Sequence, residues 1–256
     1  MGTVDDGRRR LKSVDRAFEI IAHLKDHGPS TLSEVADTFD LPVSTAHIHL
    51  VTLVENDYVI RRGDEYRCSL RFLRTGAELR DRNPLFRIAK PEIDDLQENL
   101  GEVSNIGTEE DDYMVQLYKS VNENSIDDNA PLAAHMYLHS TGTGKAMLSQ
   151  FSPETIDRVV DRRGLPAVTS ATITDREVLE RELEEIRERG YSINNGEHFA
   201  GVRAVAVSIL SKRSDVLGAI SVSGPTSRID RDRIEEEIVP ELFNKKNIIE
   251  LKLKQH

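Results

Sequence analysis

The chain has 256 residues, enough for one large domain or two ordinary ones with full hydrophobic cores, and its single cysteine, Cys68, excludes a disulfide framework or a cysteine-rich zinc site. Its formal charge is −11, unevenly placed: residues 1–75 carry 11 Lys+Arg against 12 Asp+Glu, so nearly all of the excess acid lies beyond them. Phosphate attraction supplies most non-specific affinity for nucleic acid, so an acidic chain binds DNA only through a local basic face. No apolar run approaches the roughly 18 residues of a membrane span, and the N-terminal MGTVDDGRRRLKSV has no apolar core, so a soluble, cytoplasmic protein with no membrane partner is expected. Lysine supplies only 10 of the 34 basic residues, and lysine-poor, acidic surfaces are one adaptation to high salt.

In chain order, Val14, Ala17, Phe18, Ile21 and Leu24 mark one face of a first helix that ends at Gly28-Pro29. Thr31-Leu-Ser-Glu34 has the pattern of a capping box, opening a second helix whose buried side is Leu32, Val35, Ala36 and Phe39. Asp40-Leu41-Pro42 interrupts it, and Val43, Ala46, Leu50 and Leu53 form the face of a third helix. Alternating strand residues Tyr58–Arg62 and Glu65–Ser69, joined at Gly63-Asp64, predict a hairpin. Residues 70–82 return to a helical pattern that runs into Asn83-Pro84. The predicted organisation is a first domain over 10–75, a linker helix over 76–83 and a second domain over 84–256.

The second domain reads as α+β. A helix to about Leu100 precedes strands near Glu102–Thr108 and Tyr113–Lys119 and a polar loop, VNENSIDDNAP. Helices follow after Gly144, from Ser152-Pro153, and from a capping box at Thr174–Glu177 to the glycine stop at Gly190. Two apolar strands, Val202–Leu210 and Val216–Ser223, lead to a closing helix from Asp230 with a kink expected at Pro240. A sheet with helices packed on it is the economical fold.

Three short helices followed by a β-hairpin describe a winged helix-turn-helix, whose third helix enters a DNA major groove. Its outward candidates are Ser44, Thr45, Ile48 and His49, able to bond phosphates and base edges or touch a thymine methyl, while His47 either joins them or packs inward. Arg61 and Arg62 of the hairpin would meet flanking phosphate. Arg8-Arg9-Arg10 is a basic arm or a solvated tail.

Catalytic constellations are wanting. Gly142-Thr-Gly144-Lys145-Ala146 lacks both the earlier glycine and the Ser or Thr of a phosphate loop, and reads instead as a glycine-rich lead-in to a helix. His135 and His139 have no accompanying carboxylate motif, so they read as structural or partly exposed, and Glu197-His198 reads as loop polarity. Ser221 and Ser223 alternate on one strand face, either as paired donors for a carboxylate or as polar residues on an edge strand. No enzymatic activity, metal or cofactor is expected.

Leu32-Ser-Glu-Val-Ala36, Leu41-Pro42-Val-Ser44-Thr45-Ala-His47, Leu53, Tyr58-Val59 and Tyr66 together resemble the DNA-binding domain of the IclR family of transcriptional regulators. Leu138–Ala146, Arg189-Gly190-Tyr191 with Gly201-Val202-Arg203, and Ile220–Pro225 with Arg228 resemble successive blocks of that family's effector domain, in the same order and across nearly the whole chain. The acidic, lysine-poor composition fits a member from a halophilic archaeon. The resemblance implies a GAF-like sensor domain, a homodimer or homotetramer, and an operator of double-stranded DNA as partner. It also implies a pocket for a small organic acid lined by Met136, Gly142, Thr143, Asn194, Val202, Ala204, Ser221 and Ser223. Three positions depart from the pattern: Ile48 stands where many members carry arginine, Asn194 where an acid is common, and Ala204 where some have cysteine. Loss of that acid favours a more anionic or hydroxylated effector, such as a sugar acid or an aromatic acid. The rival readings are a DNA-binding scaffold without ligand and an enzyme with an N-terminal targeting module.

Overall fold

The computed structural model describes residues 10–123, 125 and 131–255. Arg8 and Arg9 of the basic run and most of the loop 121–131 lie outside the described residues. The chain divides into two units, 1–79 and 80–256.

In the first unit, α1 (Lys12–His27), α2 (Leu32–Thr38) and α3 (Val43–Glu55) surround a core of Ile20, Leu24, Val35, Ala36, Ala46, Leu50, Leu53, Val59 and Tyr66. The capping box forms as read: Glu34 N–H donates to Thr31 Oγ1, and Thr31 N–H donates to the Glu34 carboxylate at 2.7 Å. The hairpin β2 (Val59–Arg62) and β3 (Glu65–Cys68) gains a third strand, β1 (Ser30–Thr31), too short to announce itself by alternation.

Two helix faces need correction. On α1 the core stripe is Ala17, Ile20, Ile21 and Leu24, while Val14 and Phe18 are exposed. Apolar residues occupy two adjacent stripes of this helix, and periodicity alone does not say which one turns inward. Val43 is likewise exposed, because it sits at the first turn of α3, outside the triangle of helices that buries Ala46, Leu50 and Leu53.

The helix α4 (Arg71–Arg82) buries none of its residues, and α5 (Pro84–Leu100) begins beyond the Asn83 cap. The second unit is a six-stranded antiparallel sheet in the order β6-β5-β4-β9-β8-β7. Its strands are β4 (Val103–Glu110), β5 (Tyr113–Ser120), β6 (His135–Tyr137), β7 (Ser192–Asn195), β8 (Val202–Leu210) and β9 (Val216–Pro225). The short strands β6 and β7 at the two edges were not foreseen.

The sheet has two unlike faces, set by the period of two along each strand. Ile106, Val205, Val207, Ile209, Ile220 and Val222 point to one side, against α5 and α10 (Val239–Leu253). The alternate positions are small or polar: Asn105 and Gly107, Ser192 and Asn194, Ala204, Ala206 and Ser208, Ala219, Ser221 and Ser223. Over this face lie α6 (Gly142–Leu148), α7 (Pro153–Arg163) and α8 (Arg176–Arg189). The cap of α8 is Asp175, whose carboxylate accepts from Val178 N–H, and not Thr174. Ahead of Pro240 there is no simple kink. The turn α9 (Arg231–Arg233) widens through a π-helical segment, Ile234–Ile238, before α10, because proline offers no N–H to the helix ladder.

Candidate functional site

In the first unit, α3 presents Ser44, His47 and Ile48 to solvent, with Ile48 65 % exposed, while Thr45 and His49 are half-buried. His47 therefore faces outward. It lines a groove of about 500 Å³ together with Arg61 of the hairpin, Thr31, Ser33, Asp64 and Tyr66, so the helix and the hairpin contribute to one surface. Arg61 is partly committed to its own turn: Nε donates to the Gly63 carbonyl at 2.8 Å, and the guanidinium lies 5.6 Å from the Tyr66 ring centroid. Arg62 is exposed.

In the second unit, a cavity of about 70 Å³ lies between the small, polar face of the sheet and the lead-in to α6. All eight residues expected there line it: Met136, Gly142, Thr143, Asn194, Val202, Ala204, Ser221 and Ser223. The lead-in is packed too tightly for side chains. A Cβ on Gly144 would lie 2.2 Å from the Leu138 carbonyl oxygen, and one on Gly142 would lie 3.3 Å from the Ala204 methyl. Thr141 caps the helix by accepting from Gly144 N–H at 3.0 Å.

Ser221 and Ser223 lie on β9, a central strand, and are only 3 % and 6 % exposed, so the edge-strand alternative fails. Asn105 Nδ2 donates to both serine oxygens, at 3.4 and 3.3 Å, which leaves both hydroxyl protons available to a ligand. Asn194 behaves differently from expectation. Its Nδ2 donates to the Ser140 carbonyl at 2.6 Å and its Oδ1 accepts from Glu197 N–H at 3.2 Å, so it fixes the walls of the cavity with both polar atoms.

Sequence reasoning missed Asn105, Met114, Gln116, His198 and Phe199, which line the cavity together with Ile106, Gly107 and Thr141. His198 is held at its Nδ1, 3.1 Å from Ser140 Oγ. Among the described residues no Lys, Arg, Asp or Glu lines the cavity, so an anion inside it would be held by neutral donors.

Glu197 is buried, against the reading of it as loop polarity. Beneath the α6 lead-in, Lys145, 1 % exposed, donates to Glu197 at 2.7 Å, to Glu182 at 3.2 Å and to the Ile193 carbonyl at 2.9 Å. Burial pushes the Glu197 carboxyl above its ordinary range, although Lys145 pulls the other way. His139 is also buried; its Nε2 donates to the Pro166 carbonyl at 3.1 Å, and burial pulls it below the ordinary histidine range. His135 is exposed, 3.7 Å from Glu110. Among the described residues no cluster of three or more His, Cys, Asp or Glu side chains is arranged to hold a metal ion, and no helix is long and apolar enough to cross a membrane.

Comparison with known proteins agrees with this architecture. The family model described as Bacterial transcriptional regulator IclR C-terminal matches residues 78–246, and that of the IclR helix-turn-helix domain matches residues 13–63. The chain is 31 % identical over 233 residues to the Transcriptional repressor IclR of Escherichia coli, covering 89 % of this chain and 85 % of that protein. It is 29 % identical over 249 residues to the Probable HTH-type transcriptional regulator ArcR of Halobacterium salinarum, covering 96 % and 95 %. The crystal structure of the Thermotoga maritima IclR superposes with a TM-score of 0.85 at 30 % identity, over 95 % of this chain and 99 % of that one.

Proposed function

The chain belongs to the IclR family of transcriptional regulators, and from that premise we propose that its operator binding is modulated by a small organic acid held in the second unit. In this reading the protein works in the cytoplasm as a homodimer or homotetramer. One recognition helix reads too few base pairs for genomic selectivity, so paired half-sites are required. Ser44, Thr45, His47, Ile48 and His49 meet the major groove, and Arg61 and Arg62 meet flanking phosphates.

The observation that carries the sensor reading is the pair of buried serine hydroxyls on β9, with their protons free, facing the first turn of α6 across a cavity of about 70 Å³. At roughly 10–15 Å³ for each water-sized position, that volume holds on the order of half a dozen non-hydrogen atoms. A short-chain acid suits it better than a sugar acid or an aromatic acid. Because a cavity with unspent donors is present, a scaffold without ligand is the weaker alternative. The effector acts by binding one arrangement of the DNA-binding units more tightly than another, since equal affinity for both would shift nothing.

Fluorescence anisotropy with operator DNA tests both halves. Ser44→Ala with Thr45→Ala should weaken specific binding, while Arg61→Ala or Arg62→Ala should weaken binding to every sequence and reduce the salt slope by about one. Ser221→Ala with Ser223→Ala should abolish the response to acid and leave operator binding intact. Operator binding indifferent to all four DNA-face substitutions would sink the assignment of that face, and a concentration-independent monomer in sedimentation would refute the dimer.

A further inference from the structure

We propose that this cavity selects hydroxy acids over the matching oxo and unsubstituted acids, and that Asn105 and Gln116 are the residues that read the hydroxyl. The inference rests on the sensor reading above and names the chemical class of its ligand. Asn105 and Gln116 are 9 % and 5 % exposed, both line the cavity, and each carries one buried polar atom with no hydrogen-bond partner among the described residues: an acceptor, Asn105 Oδ1, and a donor, Gln116 Nε2. Buried polar groups are nearly always paired, and an unmet donor and an unmet acceptor lining one cavity point to a ligand that satisfies both.

The backbone brings the two together by a bulge. Along β4 and β5, Asn105 pairs with Lys119 and Ile106 with Tyr118, but Gly107 pairs with Gln116, skipping Leu117. In regular register Leu117 would face the cavity beside Gly107; the bulge turns Gln116 inward instead. Gly107, two residues after Asn105 and paired with Gln116, leaves room in the cavity, since a Cβ there would lie 2.8 Å from Met114 Sδ and 3.4 Å from Thr143 Cβ.

A hydroxyl is the smallest group that donates and accepts through one atom. It would donate to Asn105 Oδ1 and accept from Gln116 Nε2, whereas a ketone oxygen only accepts and a methylene does neither. The same orientation of Asn105 prepares the acid end. Its amide nitrogen already donates to Ser221 and Ser223, so both serine protons are left for a carboxylate. The reversed amide would consume those protons and leave an anion without them. Carboxylate towards β9 and hydroxyl towards β4 and β5, spanned by a single asparagine, describe a 2- or 3-hydroxy acid.

Calorimetry on the full chain with two matched sets tests this: L- and D-lactate against pyruvate and propionate, and 3-hydroxybutyrate against acetoacetate and butyrate. In at least one set the hydroxy acid should bind about tenfold tighter than its partners, the scale of one net hydrogen bond. Gln116→Met should remove that advantage, so that the hydroxy acid binds no tighter than its unsubstituted partner. Oxo acids binding as tightly as hydroxy acids in both sets would overturn the proposal and leave the organic-acid sensor standing. Binding of none of the seven acids would overturn the sensor reading itself. The ranking is read on the unaltered protein, so it stands even where Gln116→Met folds poorly.

Discussion

The two faces of the six-stranded sheet share strands, register and burial, and differ in what their side chains do. One face sets Ile106, Val205, Val207, Ile209, Ile220 and Val222 against α5 and α10 and is filled with branched aliphatic chains. The other carries serine, alanine, glycine and asparagine at alternate positions of the same strands, and they are too small to fill the space beneath α6. A face that fills its space stabilises the fold. A face that leaves space, and holds polar groups in it, gives up stability for a site. Its rigidity comes from Lys145 with Glu182 and Glu197, and from Asn194 bonded to backbone at both ends, in place of aliphatic packing.

Substitutions on the two faces should separate these roles. The largest loss is expected from Lys145→Met, about 3–5 kcal/mol in denaturant unfolding, because it leaves the buried Glu197 carboxylate without its cation. A loss below about 1 kcal/mol would show that the ion triad is not what holds the polar face. Ile220→Ala, on the filled face, should cost about 2–5 kcal/mol through lost burial and the cavity left behind, with organic-acid affinity unchanged.

Smaller and pH-dependent is Glu102, just before β4 and 2 % exposed. Burial would raise its carboxyl, but hydrogen bonds from Arg228 and Arg233, at 2.7–2.9 Å, outweigh that and hold it below the ordinary glutamate value of 4.5. A carboxyl lowered by folding stabilises above that value, and the contribution disappears as pH falls through the lowered one. Glu102→Gln should therefore cost about 2 kcal/mol at pH 7, and the gap to the unaltered protein should close in unfolding curves taken progressively below pH 4.5. Smallest should be Ser221→Ala or Ser223→Ala, within about 1 kcal/mol, since Asn105 keeps the other serine as an acceptor. If either cost as much as Ile220→Ala, the polar face would be a packing surface after all.

Much of this was legible along the chain. The capping box at Thr31, the glycine punctuation at Gly142 and Gly144, and the alternation through Ser221 and Ser223 are local patterns whose physics acts within a few residues. The family resemblance carried the eight cavity residues over by position, five of them inside the motif blocks and Met136, Asn194 and Ala204 beside them. Contacts made between distant segments were hidden. Which of two apolar stripes on α1 turns inward depends on where α2 and α3 sit, and β1, β6 and β7 are strands only because a partner pairs with them. Glu197 reads as loop polarity until α6 and α8 bring Lys145 and Glu182 against it, across 52 and 15 residues of chain. Gln116 is the sharpest case. Simple alternation from Tyr118 would turn Leu117 toward the cavity, and only the bulge opposite Ile106 and Gly107 exchanges it for an amide. Sequence by itself determined most of the helices, the longer strands, the two-domain order and the shared face of Ser221 and Ser223, because periodicity and capping are local. Tertiary structure decided which polar groups meet in the cavity and which remain unpaired there, because register and burial belong to pairs of segments and not to either one alone.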